Sequence, residues 1–91
     1  MVITVKLGEP LWKATGQKVV RVTLDGARTV SALFAEMGRH YPAFAGAVQR
    51  AEYDLPYTLF LNESLVEWER IGQTLLDDGD EIYLFLPVSG G

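Results

Sequence analysis

Hydrophobic spacing changes period twice along this chain of 91 residues. Ile3, Val5 and Leu7 alternate with Val2, Thr4 and Lys6, and Val20, Val22 and Leu24 repeat that period of two. Such alternation predicts two strands, each turning one face to a core. Asp25-Gly26 closes the second strand with turn chemistry, and the two should pair as a hairpin across the loop Gly8 to Gln17. The period then lengthens. Val30, Leu33, Phe34, Met37 and Tyr41 fall at i, i+3, i+4, i+7 and i+11, one stripe of a helix, and Thr29 is placed to cap its N-terminus. Pro42 ends or kinks that helix. Phe44, Ala47 and Val48 predict a further helical turn or two before Glu52.

After a loop from Glu52 to Pro56, Tyr57 to Leu61 reads as a third strand, and Asn62-Glu63-Ser64 as a tight turn into the short piece Leu65-Val66. Residues 67–80 are mostly connection. Period two returns in Glu81 to Leu86, with Ile82, Leu84 and Leu86 inward and Tyr83 and Phe85 outward, until Pro87 stops the strand. The length suits one domain with one core. The order ββαβ(β)β is an α+β arrangement, and the topology suggests a β-grasp. The expectation is a mixed sheet of four to five strands, the first and last side by side at its centre, with one main helix packed on one face. Residues 1–86 would form the domain and residues 87–91 a free Gly-Gly tail.

Composition removes several classes of function. With 48% apolar residues the chain can bury a core. It has no cysteine, so a disulfide framework, a thiolate zinc site and a cysteine nucleophile are all ruled out. The start MVITVKLGE lacks the basic and apolar regions of a signal peptide, and no apolar run approaches the roughly 20 residues that span a bilayer; a cytoplasmic protein with no membrane partner is expected. Residues 1–51 carry seven basic side chains and three acidic ones, whereas residues 52–91 carry Arg70 against nine acids. The aromatic-rich part is therefore the acidic one, the reverse of a nucleic-acid binder's basic stripe, and no direct nucleic-acid partner is expected.

Thr29-Val30 opening the helix, Tyr41-Pro42 closing it, Phe60-Leu61-Asn62-Glu63, the stretch Leu76-Asp77-Asp78-Gly79-Asp80-Glu81-Ile82 and the ending Leu86-Pro87-Val88-Ser89-Gly90-Gly91 together resemble the MoaD/ThiS family of ubiquitin-like sulfur carriers. Leu86 stands where many members carry a second proline, and the loop Glu9 to Gln17 is longer than in the shortest members. The resemblance implies a carrier or non-catalytic small subunit rather than an enzyme. Its C-terminal Gly91 would be adenylated and then converted to a thiocarboxylate by a ubiquitin-activating-like adenylyltransferase that uses ATP and magnesium. The sulfur would pass to a MoaE-like synthase large subunit in molybdopterin formation. Thiamin, cysteine or tRNA thiolation, or a modifier joined to lysines through Gly91, are the alternatives within the family, and an interaction module without tail chemistry is a third class.

The residues themselves fit that chemistry in part. Glycines at the end of Pro87, Val88, Ser89, Gly90 and Gly91 allow close backbone approach inside a narrow cleft and a freedom in φ that a Cβ would restrict. No GxxxxGK[ST] loop is present, so nucleotide chemistry falls to the partner and this chain is expected to bind no cofactor. His40 has no cysteine to activate and no patterned serine nearby, and is expected to meet the end of the helix dipole. Asp77, Asp78, Asp80 and Glu81 lack the spacing of an EF-hand, so a solvated turn and no metal are expected. These acids would nevertheless steer a partner electrostatically. Trp12 and Trp68 are read as core or rim. Phe60, Tyr83 and Phe85, outward on the sheet face away from the helix, form the expected partner-binding patch.

Overall fold

The computed structural model describes residues 1–9, 11–51 and 57–86. Strand β1 (Val2–Leu7) pairs antiparallel with β2 (Val19–Thr23) and parallel with β5 (Glu81–Phe85), while β3 (Thr58–Leu61) pairs antiparallel with β5 and with β4 (Ser64–Leu65). The sheet order is β2-β1-β5-β3-β4. The first and last strands are thus neighbours at the centre, the β-grasp layout that the order of elements implied. Alternation holds strand by strand: Ile3, Val5, Leu7, Val20, Val22, Leu59, Ile82 and Leu84 are buried on one face. A one-residue slip would turn all of them to solvent, so burial fixes the register.

Three helices occupy the described residues, α1 (Trp12–Thr15), α2 (Val30–His40) and α3 (Pro42–Ala51). In α2 the Ala32 N–H donates to Thr29 Oγ1 at 3.1 Å, so the expected cap forms. Val30, Leu33, Phe34 and Met37 present its buried stripe to the sheet. Beyond Pro42 the chain runs ten residues as α3, longer than the turn or two expected. Proline fits the first helical position, where its missing N–H would have no partner anyway. Phe44 of α3 is fully buried and meets Phe34 edge-on at 5.9 Å, so α3 extends the helical layer.

Loops carry more of the core than their patterns suggested. The Gly8 to Gln17 segment contains α1, which ends at Gly16 with φ 76°, a left-handed cap. It also places Leu11 in the core. Leu76 is fully buried and ties to the start of α2 by its N–H, which donates to the Arg28 carbonyl at 2.7 Å. Trp68, in a 3₁₀ turn (Trp68–Arg70), packs on Phe34 at 5.8 Å and donates its indole N–H to the Tyr57 carbonyl at 2.6 Å. Trp12 is half-buried with the Lys18 ammonium 5.6 Å from its ring centre, and its indole nitrogen finds no partner among the described residues. Both tryptophans are core or rim, as read. Leu86, expected inward, is only half-buried against the core, one residue past the end of β5.

Candidate functional site

The helices cover one face of the sheet; the parity of the strands then fixes what the other face displays. Phe60 opposes Tyr83, Thr58 opposes Phe85, Tyr83 opposes Lys6, and Lys6 opposes Val19. On the far side Phe60 opposes Leu65. One row therefore crosses all five strands, Val19, Lys6, Tyr83, Phe60 and Leu65. Val19 is 48% exposed, Tyr83 45% and Leu65 65%, high for apolar groups, while Phe60 in the row and Phe85 beside it are half-buried. Val2, on the same face, is also exposed.

The three expected aromatics come together on this face. Phe60 and Phe85 lie nearly parallel, 8° apart with centroids at 6.0 Å, and Tyr83 meets Phe85 edge-on at 4.7 Å. Such offset and edge contacts contribute about 0.5–1.5 kcal/mol per pair beyond area burial, which holds the rings as one surface. Gly8 makes this possible at one end. Its N–H donates to the Leu84 carbonyl at 3.0 Å, and a Cβ on Gly8 would stand 2.8 Å from Phe85 Cβ. Leu65, Val19 and Val2 were not anticipated as part of the surface. Their signal was present, because the parity that turned Tyr83 outward applies to every strand once the register is known.

The acidic turn stands at the other end of β5, where the strand begins. Asp78 Oδ1 accepts the Val2 N–H at 2.6 Å, and Asp80 accepts the Asp77 N–H at 2.8 Å and the Asn62 Nδ2 at 3.2 Å. Asp77 pairs with Arg28 at 2.8 Å and Glu81 with Lys6 at 3.0 Å. All four acids are therefore engaged in fixing the turn, against β1, the β3–β4 turn and the segment before α2, and two of them have a cation beside them. Asn62, at φ 54°, bends the β3–β4 turn and accepts the Glu81 N–H at 3.0 Å.

His40 closes α2, its Nε2 lying 3.2 Å from Glu36 Oε2, with no hydroxyl bonded to it among the described residues. Hydrogen bonds from Arg39, at 2.7 and 3.0 Å, together with His40 hold the Glu36 carboxyl below its ordinary value of 4.5. No group of three or more metal-ligating side chains occurs among the described residues. No helix among them is long and apolar enough to cross a membrane. Pro87, Val88, Ser89, Gly90 and Gly91 lie outside the described residues, as does the expected loop from Glu52 to Pro56. What the described residues offer is an apolar surface on the open face of the sheet, reaching Phe85 at the end of β5.

Comparison with known proteins bears on the family and the fold. The ThiS family model matches residues 5–91. The crystal structure of SAMP1 from Haloferax volcanii is 31% identical, with a TM-score of 0.79 over 100% of both chains. The solution structure of the small archaeal modifier protein 1 from Methanosarcina acetivorans is 26% identical, with a TM-score of 0.70, covering 99% of this chain and 96% of that one. Subunit 1 in the protein–protein complex of subunits 1 and 2 of the molybdopterin-converting factor from Helicobacter pylori has the same fold, at 23% identity and a TM-score of 0.63 over 100% of both chains. No match was found among curated proteins.

Proposed function

The chain belongs to the ThiS family of small ubiquitin-like sulfur carriers, and from that premise we propose that it carries sulfur as a thiocarboxylate on Gly91, delivered for molybdopterin formation. Residues 1–86 act as the folded domain and residues 87–91 as the tail that enters a partner. Five extended residues reach roughly 16 Å, a depth suited to an enzyme cleft. The Gly91 carboxylate is a poor electrophile, with a reference pKa near 3.5. A partner adenylyltransferase would therefore join it to the α-phosphorus of ATP with magnesium, releasing pyrophosphate. A sulfur donor then displaces AMP, forming the carbon–sulfur bond as the carbon–oxygen bond to AMP breaks. No cofactor on this chain takes part.

The observation that carries this reading is the aromatic surface of Phe60, Tyr83 and Phe85 at the tail end of β5. A monomer gains little from exposing such a surface, whereas a partner that receives the tail gains an anchor beside it. The Helicobacter pylori complex, in which a protein of this fold is seated with a second subunit, supports a synthase large subunit as the acceptor. A second reading, attachment to lysines through Gly91, is favoured by the likeness to the small archaeal modifier protein 1 of Methanosarcina acetivorans.

Deletion of Gly91 is expected to abolish adenylation-dependent pyrophosphate exchange while leaving the melting temperature unchanged; normal exchange by the deleted chain would end the carrier reading. Intact-protein mass spectrometry of material from its native cell separates the two uses. Sulfur replacing oxygen at Gly91 supports the carrier, and branched Gly91-lysine peptides support the modifier.

A further inference from the structure

The outer edge of β2 is open. Sheet order places β2 at one border, and the hydrogen bonds to β1 show which of its residues face outward. The Leu24 N–H donates to the Met1 carbonyl at 2.8 Å, the Met1 ammonium to the Leu24 carbonyl at 3.0 Å, and the Leu7 N–H to the Lys18 carbonyl at 2.8 Å. Bonded pairs alternate along an antiparallel ladder. Lys18, Val20, Val22 and Leu24 therefore direct their backbone groups at β1, and Val19, Arg21 and Thr23 direct theirs away, without partners among the described residues.

Beside this edge, between β2 and α2, runs a groove of about 570 Å³ lined by Arg21, Thr23, Glu36, Met37, His40 and Tyr41 among others. Met37 and Tyr41 give it an apolar floor. The Glu36 carboxylate on its wall pairs with the Arg39 guanidinium at 2.7 Å, so its negative charge is offset, whereas Arg21 has no acidic partner among the described residues. Asp25 stands at the far end of the groove. The edge strand itself is thus cationic at Arg21, with Lys18 just before it, while Asp25, which follows β2, likewise has no ion-pair partner among the described residues.

We propose that this edge binds an extended segment of a partner protein in which acidic and aliphatic residues alternate, added to β2 as a sixth strand. Backbone groups of Val19, Arg21 and Thr23 would supply the ladder, aliphatic side chains would enter the groove, and acidic ones would face Arg21. Self-pairing is the poorer occupant. Two copies of β2 in the antiparallel register that uses all three residues place Arg21 opposite Arg21, and like charges directly opposite are destabilising. Cations on border strands also serve to keep copies apart, so the peptide itself must be tested.

The site does not involve Gly91, and the two readings fail separately. The probe is an acetylated, amidated synthetic peptide of alternating glutamate and valine, added to the full chain and to the chain lacking Gly90 and Gly91. Amide exchange of Val19, Arg21 and Thr23 should slow in both chains, and Arg21→Glu, which lies on the surface, should weaken binding by about tenfold or more. A peptide of alternating lysine and valine should not bind. Equal binding of the lysine peptide, unchanged exchange at the three amides, or undiminished binding by Arg21→Glu would overturn the proposal. So would slowed exchange without peptide that grows with protein concentration, which would assign the edge to a second copy.

Discussion

Gly8 is the residue at which a single methyl group decides the geometry of the docking face. Its Cα approaches β5 where Phe85 begins, and an added Cβ would stand 2.8 Å from Phe85 Cβ and 3.4 Å from Phe85 Cα. The atom it meets is the root of a side chain, so relief requires β5 to move. Replacing glycine by alanine stabilises a chain by about 0.4–1 kcal/mol through the unfolded state where the site permits it, whereas overpacking costs about 1–3 kcal/mol. The second effect should win here. Gly8→Ala is expected to lower stability by about 1–2 kcal/mol in denaturant melts and to shift the ring resonances of Phe85. An unchanged midpoint with unchanged Phe85 signals would show that the strands part without strain. At the same scale, Asp78 shows what sequence reading missed. It reads as one acid of a solvated turn, yet it closes on Val2 across 76 residues. No local pattern announces a partner so distant.

Among the elements, the strands were legible and the loops were not. Period two marks each strand independently of what lies between, so Val2 to Leu7, Val19 to Leu24 and Glu81 to Leu86 could be placed and their inward residues named, the last two strands ending one residue earlier, at Thr23 and Phe85. A four-residue helix such as α1 is too short to show a period, and Leu11 and Leu76 are single apolar residues in polar surroundings. Helix α3 is hard to read from sequence because proline terminates a helix from its interior yet fits its first position. The patch of Phe60, Tyr83 and Phe85 followed from alternation alone. Its extension to Val19 and Leu65 needed the pairing of β1, β2 and β4, because alternation fixes the face a residue takes but not which residues stand side by side across strands. As β5 carries both the patch and the tail, Phe85→Ala should weaken binding of the partner that receives the tail by over about 1 kcal/mol. Leu65→Ala, at the far border of the row, should cost less than Phe85→Ala. Unaltered affinity for Phe85→Ala in titration calorimetry, with a large fall in stability, would place Phe85 in the core instead.

Across the whole molecule, charge is unevenly spread, and the end of the sheet where β5 begins is the acidic one. The β2 border carries Arg21, with Lys18 before it and Asp25 after it, and Arg39 of α2 is paired with Glu36, whereas the β3–β4 turn and the start of β5 carry Glu63 and the acids 77–81. We propose that this negative end orients the molecule as it meets its activating partner, Asp77, Asp78, Asp80 and Glu81 included. Orientation is the right expectation rather than local attraction at the tail. The turn and the tail lie at opposite ends of a strand about 16 Å long, beyond the screening length of about 8 Å at physiological salt. A field of this kind raises the association rate and fades as salt increases. Arg28 and Lys6 offset Asp77 and Glu81, so Asp78 and Asp80 contribute more of it. The test must remove charge without removing an acceptor. Asp80 accepts through both oxygens, from the Asp77 N–H and from Asn62 Nδ2, and an amide there would lose one of the two bonds. Asp78 accepts through one, which an asparagine oxygen can replace. Asp78→Asn combined with Glu63→Gln, an exposed position beside Asn62, should therefore melt like the parent chain. In stopped flow it should associate more slowly at low salt, with the deficit shrinking at physiological salt. Association rates equal to the parent at both salts would leave these acids as fasteners of the turn and nothing more.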